Sequence, residues 1–254
     1  MKKVIHKSDL IKVIGKDNVF TRGLASVAMC ALGVNKINKL YAHSAELSDQ
    51  PFTEHMLDVY GITYDKNESE MNVIPKEGPF IIVSNHPFGA IEGIILYDAI
   101  ARVRPDFKVM ANFILSYIPN LKNVFIPVNP FTDKPEWGSS IGGIKEAMAH
   151  ISKGFGLGIF PAGEVSRYNG NKYPEDIDWS VTIAKLAKKA KVPVIPFYFD
   201  GTNSKTFYRL AKMHSMLGTA MLLRDLYNKR NHHFTIKIRK PMVPSDRAVY
   251  DDHN

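Results

Sequence analysis

The sequence predicts an α/β domain with a mixed, largely parallel sheet flanked by helices, preceded by an N-terminal helical appendage. Three observations carry this. From residue 79 onward, short apolar runs alternate with helix-length segments, the pattern of strands joined by crossover helices. The runs are near-continuously apolar, as strands buried on both faces are. Two polar loops, "NPFTDKPEW" at 129–137 and "RYNGNKYPEDID" at 167–178, follow strand ends, where α/β proteins place ligand sites.

In chain order, residues 22–47 read as one helix, because Leu24, Val27, Ala28, Ala31 and Val34 recur at helical spacing. This helix either packs on the main domain or lies on a membrane surface. The expected division is a helical region over 1–70 and the α/β domain over 71–254. Within the latter, 79–84 is a strand, 90–103 a helix, and "FKVMA" and "NVFIPV" are strands. Residues 138–152 are a helix, "GLGIF" a strand and 178–190 a helix. "VPVIPFYF" is a strand whose two prolines suggest an edge or irregular position. A helix over 205–229 and a strand in "HFTIKIRK" complete the series.

Bulk properties exclude several classes. The lone cysteine, Cys30, rules out an internal disulfide and leaves no basis for a cysteine metal site. His232 and His233 have no acidic or cysteine neighbours at ligand spacing, so no metal is expected. The longest runs free of both charged residues and histidine, 23–35 and 109–121, are thirteen residues each, against about 20 needed to span a bilayer. Charge interrupts the N-terminus throughout, unlike a signal peptide. The net charge of +8 is concentrated: residues 205–240 carry nine basic residues against Asp225 alone. Such a surface attracts anionic partners, or is simply a solvated helix face. Nucleic-acid binding lacks a motif. There is no G-x-S-x-G elbow and no phosphate-binding G-x-x-x-x-G-K loop, and "GFGLG" at 154–158 lacks dinucleotide-site spacing.

Two stretches carry chemistry. In "IVSNHPFGAIEG", 82–93, His86 follows a strand and Glu92 follows six residues later. In one continuous helix these two would face apart. Pro87 and Gly89 argue instead for a turn, with a helix starting near Gly89 and Glu92 in its first turn. From there the carboxylate reaches back to the ring, making His86 a general base with Glu92 as its orienter. The alternative is a turn histidine beside an unrelated glutamate. In "GIFPAGEVSR", 158–167, backbone N–H groups around Gly163, with Ser166 and Arg167, suit an anion or a developing oxyanion, or form an ordinary strand-end turn.

Together "SNHPFGAIEG", "NVFIPVNPF", "FPAGEVSRYNG" and "LAKKAKVPVIPFY" resemble, in order, the motif blocks of the glycerolipid acyltransferase superfamily, the enzymes related to 1-acylglycerol-3-phosphate acyltransferase. The likeness covers roughly 75–200. The H-P-F-G and F-P-A-G-E-V-S forms most resemble the hemolysin-like branch, which includes lyso-aminolipid O-acyltransferases. The resemblance implies acyl transfer from acyl-CoA or acyl-carrier protein to a lyso-lipid hydroxyl, with no resident cofactor. It implies a peripheral position on the cytoplasmic side of an anionic membrane. It makes His86 and Glu92 catalytic and places Asn85, Gly89, Gly163, Glu164, Ser166 and Arg167 at the substrate. A non-catalytic lipid-binding protein on the same fold is the alternative. The chain departs from the family's pattern in three places. The acid is one residue later and is glutamate, Ala162 replaces a glutamate, and Val128-Asn129 stand where an arginine is expected. Fewer cations and the added Glu164 disfavour a phosphate-bearing acceptor, so a lyso-aminolipid is expected over 1-acylglycerol-3-phosphate.

Overall fold

A computed structural model describes residues 2–14, 16–112, 115, 118–128, 140–168, 170, 172–213 and 215–243. The loop expected at 129–137 lies outside these, as does Asn129. Ten α-helices and eight strands are described, in the order α1 (Lys7–Ile14), α2 (Val19–Ala31), α3 (Val34–Ser44), α4 (Asp49–Tyr60), β1 (Thr63–Tyr64), α5 (Glu68–Met71), β2 (Phe80–Ser84), α6 (Ala90–Ala101), β3 (Lys108–Asn112), β4 (Phe125–Val128), α7 (Ser140–Ser152), β5 (Gly156–Ile159), α8 (Val181–Ala190), β6 (Val194–Phe199), α9 (Lys205–Met213), α10 (Ser215–Asn228), β7 (His233–Phe234) and β8 (Ile236–Ile238).

By compactness the chain divides into residues 1–63 with 203–232, and residues 64–202 with 233–254. The boundary expected at 70 is thus not a single cut. The helices of 203–232 group with the N-terminal ones, because a bundle forms from helices distant in sequence.

In the helical unit the long helix expected over 22–47 is two helices. It starts earlier, at Val19, because Asn18 caps it: its side chain accepts from Thr21 N at 2.9 Å, while Asn18 N donates to Thr21 Oγ at 3.0 Å. It stops at Ala31 because Gly33, at φ 70°, takes the left-handed conformation that ends one helix and opens the next. The helix expected over 205–229 is likewise two, α9 and α10. Helix α2 buries Thr21, Ala25 and Met29 on one face and leaves Val19, Phe20, Leu24 and Val27 exposed on the other.

The second unit holds a six-stranded sheet in the order β4-β3-β5-β2-β6-β8. All adjacent pairs are parallel except β6–β8, giving the mixed, largely parallel sheet. Strand β2 is buried at every residue. Its Ile81 and Val83 join Ile126, Leu157, Ile159, Ala147, Ile151, Leu186 and Val194 in one apolar cluster, so β2 packs beneath α7 and α8. Helix α6 is apolar nearly all round and buried from Ile91 to Ala101, as a core helix must be. Each of its fully covered side chains Ile95, Leu96 and Ile100 contributes roughly 1.5–3 kcal/mol.

Of the edge or irregular positions expected for strand β6, the structure shows the irregular one. The strand lies inside the sheet, between β2 and β8, and tolerates its prolines through an interrupted ladder. Pairing with β8 runs over Phe197–Phe199 and resumes only where Val194 meets Met242. Pro196 sits in the gap, its carbonyl accepting from Arg239 N at 2.9 Å. Pro193 precedes the strand and accepts from Ile81 N at 2.9 Å.

Candidate active site

The parallel pairing of β2 with β5 and β6 decides where the motifs meet. Val83 is in register with Ile159, and Ser84 with Phe197. Parallel strands in register end together, so the loops after β2, β5 and β6 emerge side by side. The first two of these loops carry His86 and Ser166, and Phe199 is the last residue of β6.

The turn from β2 into α6 forms as the glycine and proline suggested. Gly89 takes φ 107° and ψ −131° at the N-terminus of α6, a conformation open to glycine. The helix begins at Ala90, and Glu92 falls in its first turn, where a carboxylate is favoured. Glu92 is fully buried and His86 is 17% exposed. Glu92 Oε1 stands 3.4 Å from His86 Nδ1. That exceeds ordinary hydrogen-bond length. The same oxygen accepts the Phe88 backbone N–H, which closes the turn. Glu92 Oε2 and His86 Nδ1 are both buried and have no hydrogen-bond partner among the described residues. The ring of Phe160 lies 4.6 Å from the imidazole, tilted by 31°, and walls that side.

Asn85 does not reach toward open space. Its side chain donates to Phe199 O at 2.9 Å and accepts from Phe199 N at 2.8 Å, pinning the loop to the end of β6. Gly163, at φ 71°, donates its N–H to Phe160 O at 3.0 Å. Ser166 is buried; its N–H donates to His86 O at 2.9 Å and its hydroxyl to Asp176 Oδ1 at 2.6 Å. In this arrangement the N–H of Gly163, and both the N–H and the hydroxyl proton of Ser166, are already used. Glu164 and Arg167 are half-exposed and pair with each other at 2.8 Å, one turn's spacing apart. The structure thus brings His86, Glu92, Asn85 and Ser166 into one connected set, while Gly163, Glu164 and Arg167 lie on its exposed side.

Asp176 was not singled out from sequence. Its Oδ1 also accepts the His86 backbone N–H at 3.1 Å, and its Oδ2 accepts from Trp179 Nε1 at 3.2 Å. Its position in the polar loop at 167–178 was the available signal, but that loop holds Glu175, Asp176 and Asp178, and only the fold selects one.

Comparison with known proteins agrees with the motif reading. The chain belongs to the acyltransferase family, whose pattern it matches over residues 19–248. It is 30% identical over 180 residues to the lyso-glycine lipid O-acyltransferase of Bacteroides thetaiotaomicron, covering 66% of this chain and 62% of that protein. To the protein of the same name from Phocaeicola vulgatus it is 29% identical over 180 residues, covering 66% and 61%. The match thus spans less than two thirds of the length of these relatives. Among solved structures it aligns with the 1-acyl-sn-glycerophosphate acyltransferase of Thermotoga maritima, at a TM-score of 0.41 and 17% identity, over 82% of this chain and 78% of that one.

Proposed function

We propose that this protein moves an acyl group from a thioester, acyl-CoA or acyl-carrier protein, to a hydroxyl of a lyso-aminolipid, with His86 as general base. The observation that carries the reading is the buried carboxylate of Glu92, 3.4 Å from Nδ1 of a histidine that keeps part of its ring exposed. Glu92 faces Nδ1 and favours the proton there in the reacting complex, which leaves Nε2 as the acceptor. Nε2 takes the proton as the acceptor oxygen attacks the thioester carbonyl. The tetrahedral intermediate collapses, the C–S bond breaks, and the imidazolium returns the proton to the leaving thiolate. No covalent intermediate on the protein is needed.

The acceptor class is supported by the names of the relatives and by charge. Arg167, in the "FPAGEVSR" stretch, pairs with Glu164 at 2.8 Å, which disfavours a phosphate and suits a headgroup bearing an amine. Among the described residues no helix is long and apolar enough to cross a membrane. The exposed Phe20 and Val27 of α2, 79% and 64% exposed, support docking on a bilayer surface.

The test is a panel of lyso-lipids with a labelled acyl donor, run with the wild type and H86A. Transfer to a lyso-aminolipid that H86A loses is the expected result. Preference for 1-acylglycerol-3-phosphate overturns the acceptor assignment. Vesicle binding with no thioester consumption by the wild type is the outcome of the non-catalytic alternative.

A further inference from the structure

We propose that Asp176 is a positioning residue for His86, a clamp that sets the base by its backbone; this rests on the general-base reading above. Three donors converge on this one carboxylate. His86 N donates to Oδ1 at 3.1 Å from the loop after β2. Ser166 Oγ donates to the same oxygen at 2.6 Å from the loop after β5. Trp179 Nε1 donates to Oδ2 at 3.2 Å from Asp176's own loop. Ser166 N then donates to His86 O at 2.9 Å.

The His86 peptide unit is therefore held at both ends: its N–H by Asp176 directly, and its carbonyl by Ser166, which Asp176 also holds. This closes a ring of hydrogen bonds among His86, from the loop after β2, and Ser166 and Asp176, both from the loop after β5. The Ser166 hydroxyl bond, at 2.6 Å, has the length of a charge-assisted bond. Asp176's own loop is tied down in turn by the paired backbone bonds of Arg167 and Glu175, at 2.9 and 3.0 Å, and by Ser180 N on Pro161 O at 3.0 Å.

Glu92 faces the ring itself. It grips the turn through the Phe88 N–H and faces Nδ1. Two carboxylates thus divide the work: Glu92 addresses the imidazole and Asp176 addresses the backbone from which the imidazole projects. Asp176 forms no bond to the ring, so its influence on catalysis is geometric. A general base works only within hydrogen-bond reach of its proton, and a displacement of about 1 Å costs roughly 100-fold.

The experiment compares D176A, D176N and S166A with wild type. It measures kcat and KM for acyl transfer, and hydrogen exchange of the peptide spanning residues 84–90. Asparagine keeps an oxygen that accepts from His86 N and Ser166 Oγ. D176A is expected to lose about 100-fold in kcat with little change in KM, and to exchange the His86 amide faster. D176N is expected to restore most of kcat, and S166A to fall between. Should D176A unfold, S166A carries the test through the same two readouts. An unchanged kcat in D176A, a rise in KM as large as the fall in kcat, or a loss in D176N equal to that in D176A each overturns the assignment. If the wild type transfers no acyl group, the function fails. The exchange data then decide the clamp separately: unchanged protection of residues 84–90 in D176A overturns it.

Discussion

Glu92 Oε1 lies 3.4 Å from His86 Nδ1 and accepts the Phe88 N–H, so one buried oxygen serves both the turn and the imidazole. This predicts a graded response to substitution. H86A is expected to lower kcat by roughly 10²–10⁴-fold, the range for general-base catalysis. E92Q, which keeps an oxygen but removes the charge, is expected to lower it by less. Because the two act as a unit, the double variant should be little worse than H86A alone. Steady-state kinetics on all three decide this, and independent, additive losses refute the pairing.

Asn85 predicts a stability effect. Its amide supplies both partners of the Phe199 peptide group. N85A leaves those groups unpaired at a site largely closed to water, at about 1–3 kcal/mol. Denaturant unfolding should register the loss, and N85D should recover only part of it, because a carboxylate cannot donate to Phe199 O. Wild-type stability in N85A contradicts this bond's role.

Gly201 predicts an effect of shape alone. It adopts φ +122°, and a Cβ there would lie 2.7 Å from Phe88 Cζ. Phe88 is buried and packs edge-on against Phe234 at 5.1 Å, so it has little room to retreat. G201A is expected to cost about 1–3 kcal/mol, and to disturb the His86 turn that Phe88 belongs to. Thermal unfolding and kcat should fall together.

Two groups predict the pH dependence of stability. Burial holds His150 below its ordinary value, with Lys108 adding repulsion, although the Gly156 carbonyl opposes this. A lowered histidine pKa means the unfolded chain takes up the proton first. The contribution is therefore complete above about pH 6.5 and is lost as pH falls from there. Asp106 sits lower still. Burial pushes its carboxyl up, but the bonds from Arg104 and Gly156 outweigh burial and hold it below the usual value. Arg104 grips it with two bonds of 2.8 and 2.7 Å. Its contribution is present above about pH 4 and lost below. Urea midpoints between pH 8 and pH 3 should therefore fall in two stages. H150Q is expected to flatten the first stage and D106N the second; because the Asp106 charge opposes the lowering of His150, D106N should also deepen the first.

The exposed stripe of α2 predicts surface binding. F20D and V27D are each expected to weaken sedimentation with anionic vesicles by about tenfold, from the loss of a buried apolar side chain. Neither should alter transfer measured on detergent-dispersed substrate. Unchanged vesicle binding removes α2 from the docking surface.

What the chain's own pattern determined is local. Continuous apolar runs marked the strands because both faces of a central sheet are covered. Pro87 and Gly89 mark the turn, and a helix start at Ala90 follows from it, which places Glu92 in the first turn close to His86. Gly33 carried the break between α2 and α3, but helical spacing continues through it and masked it. Tertiary structure decided the rest. Strand order cannot be read from runs that look alike, so the interior place of β6, despite two prolines, emerged only from its pairing with β2 and β8. The same pairing brings the loop ends together. Asp176 reaches His86 across 90 positions of sequence because parallel strands in register finish at one edge. Local composition is read by neighbours a few residues away, whereas that meeting depends on contacts between segments with no pattern in common.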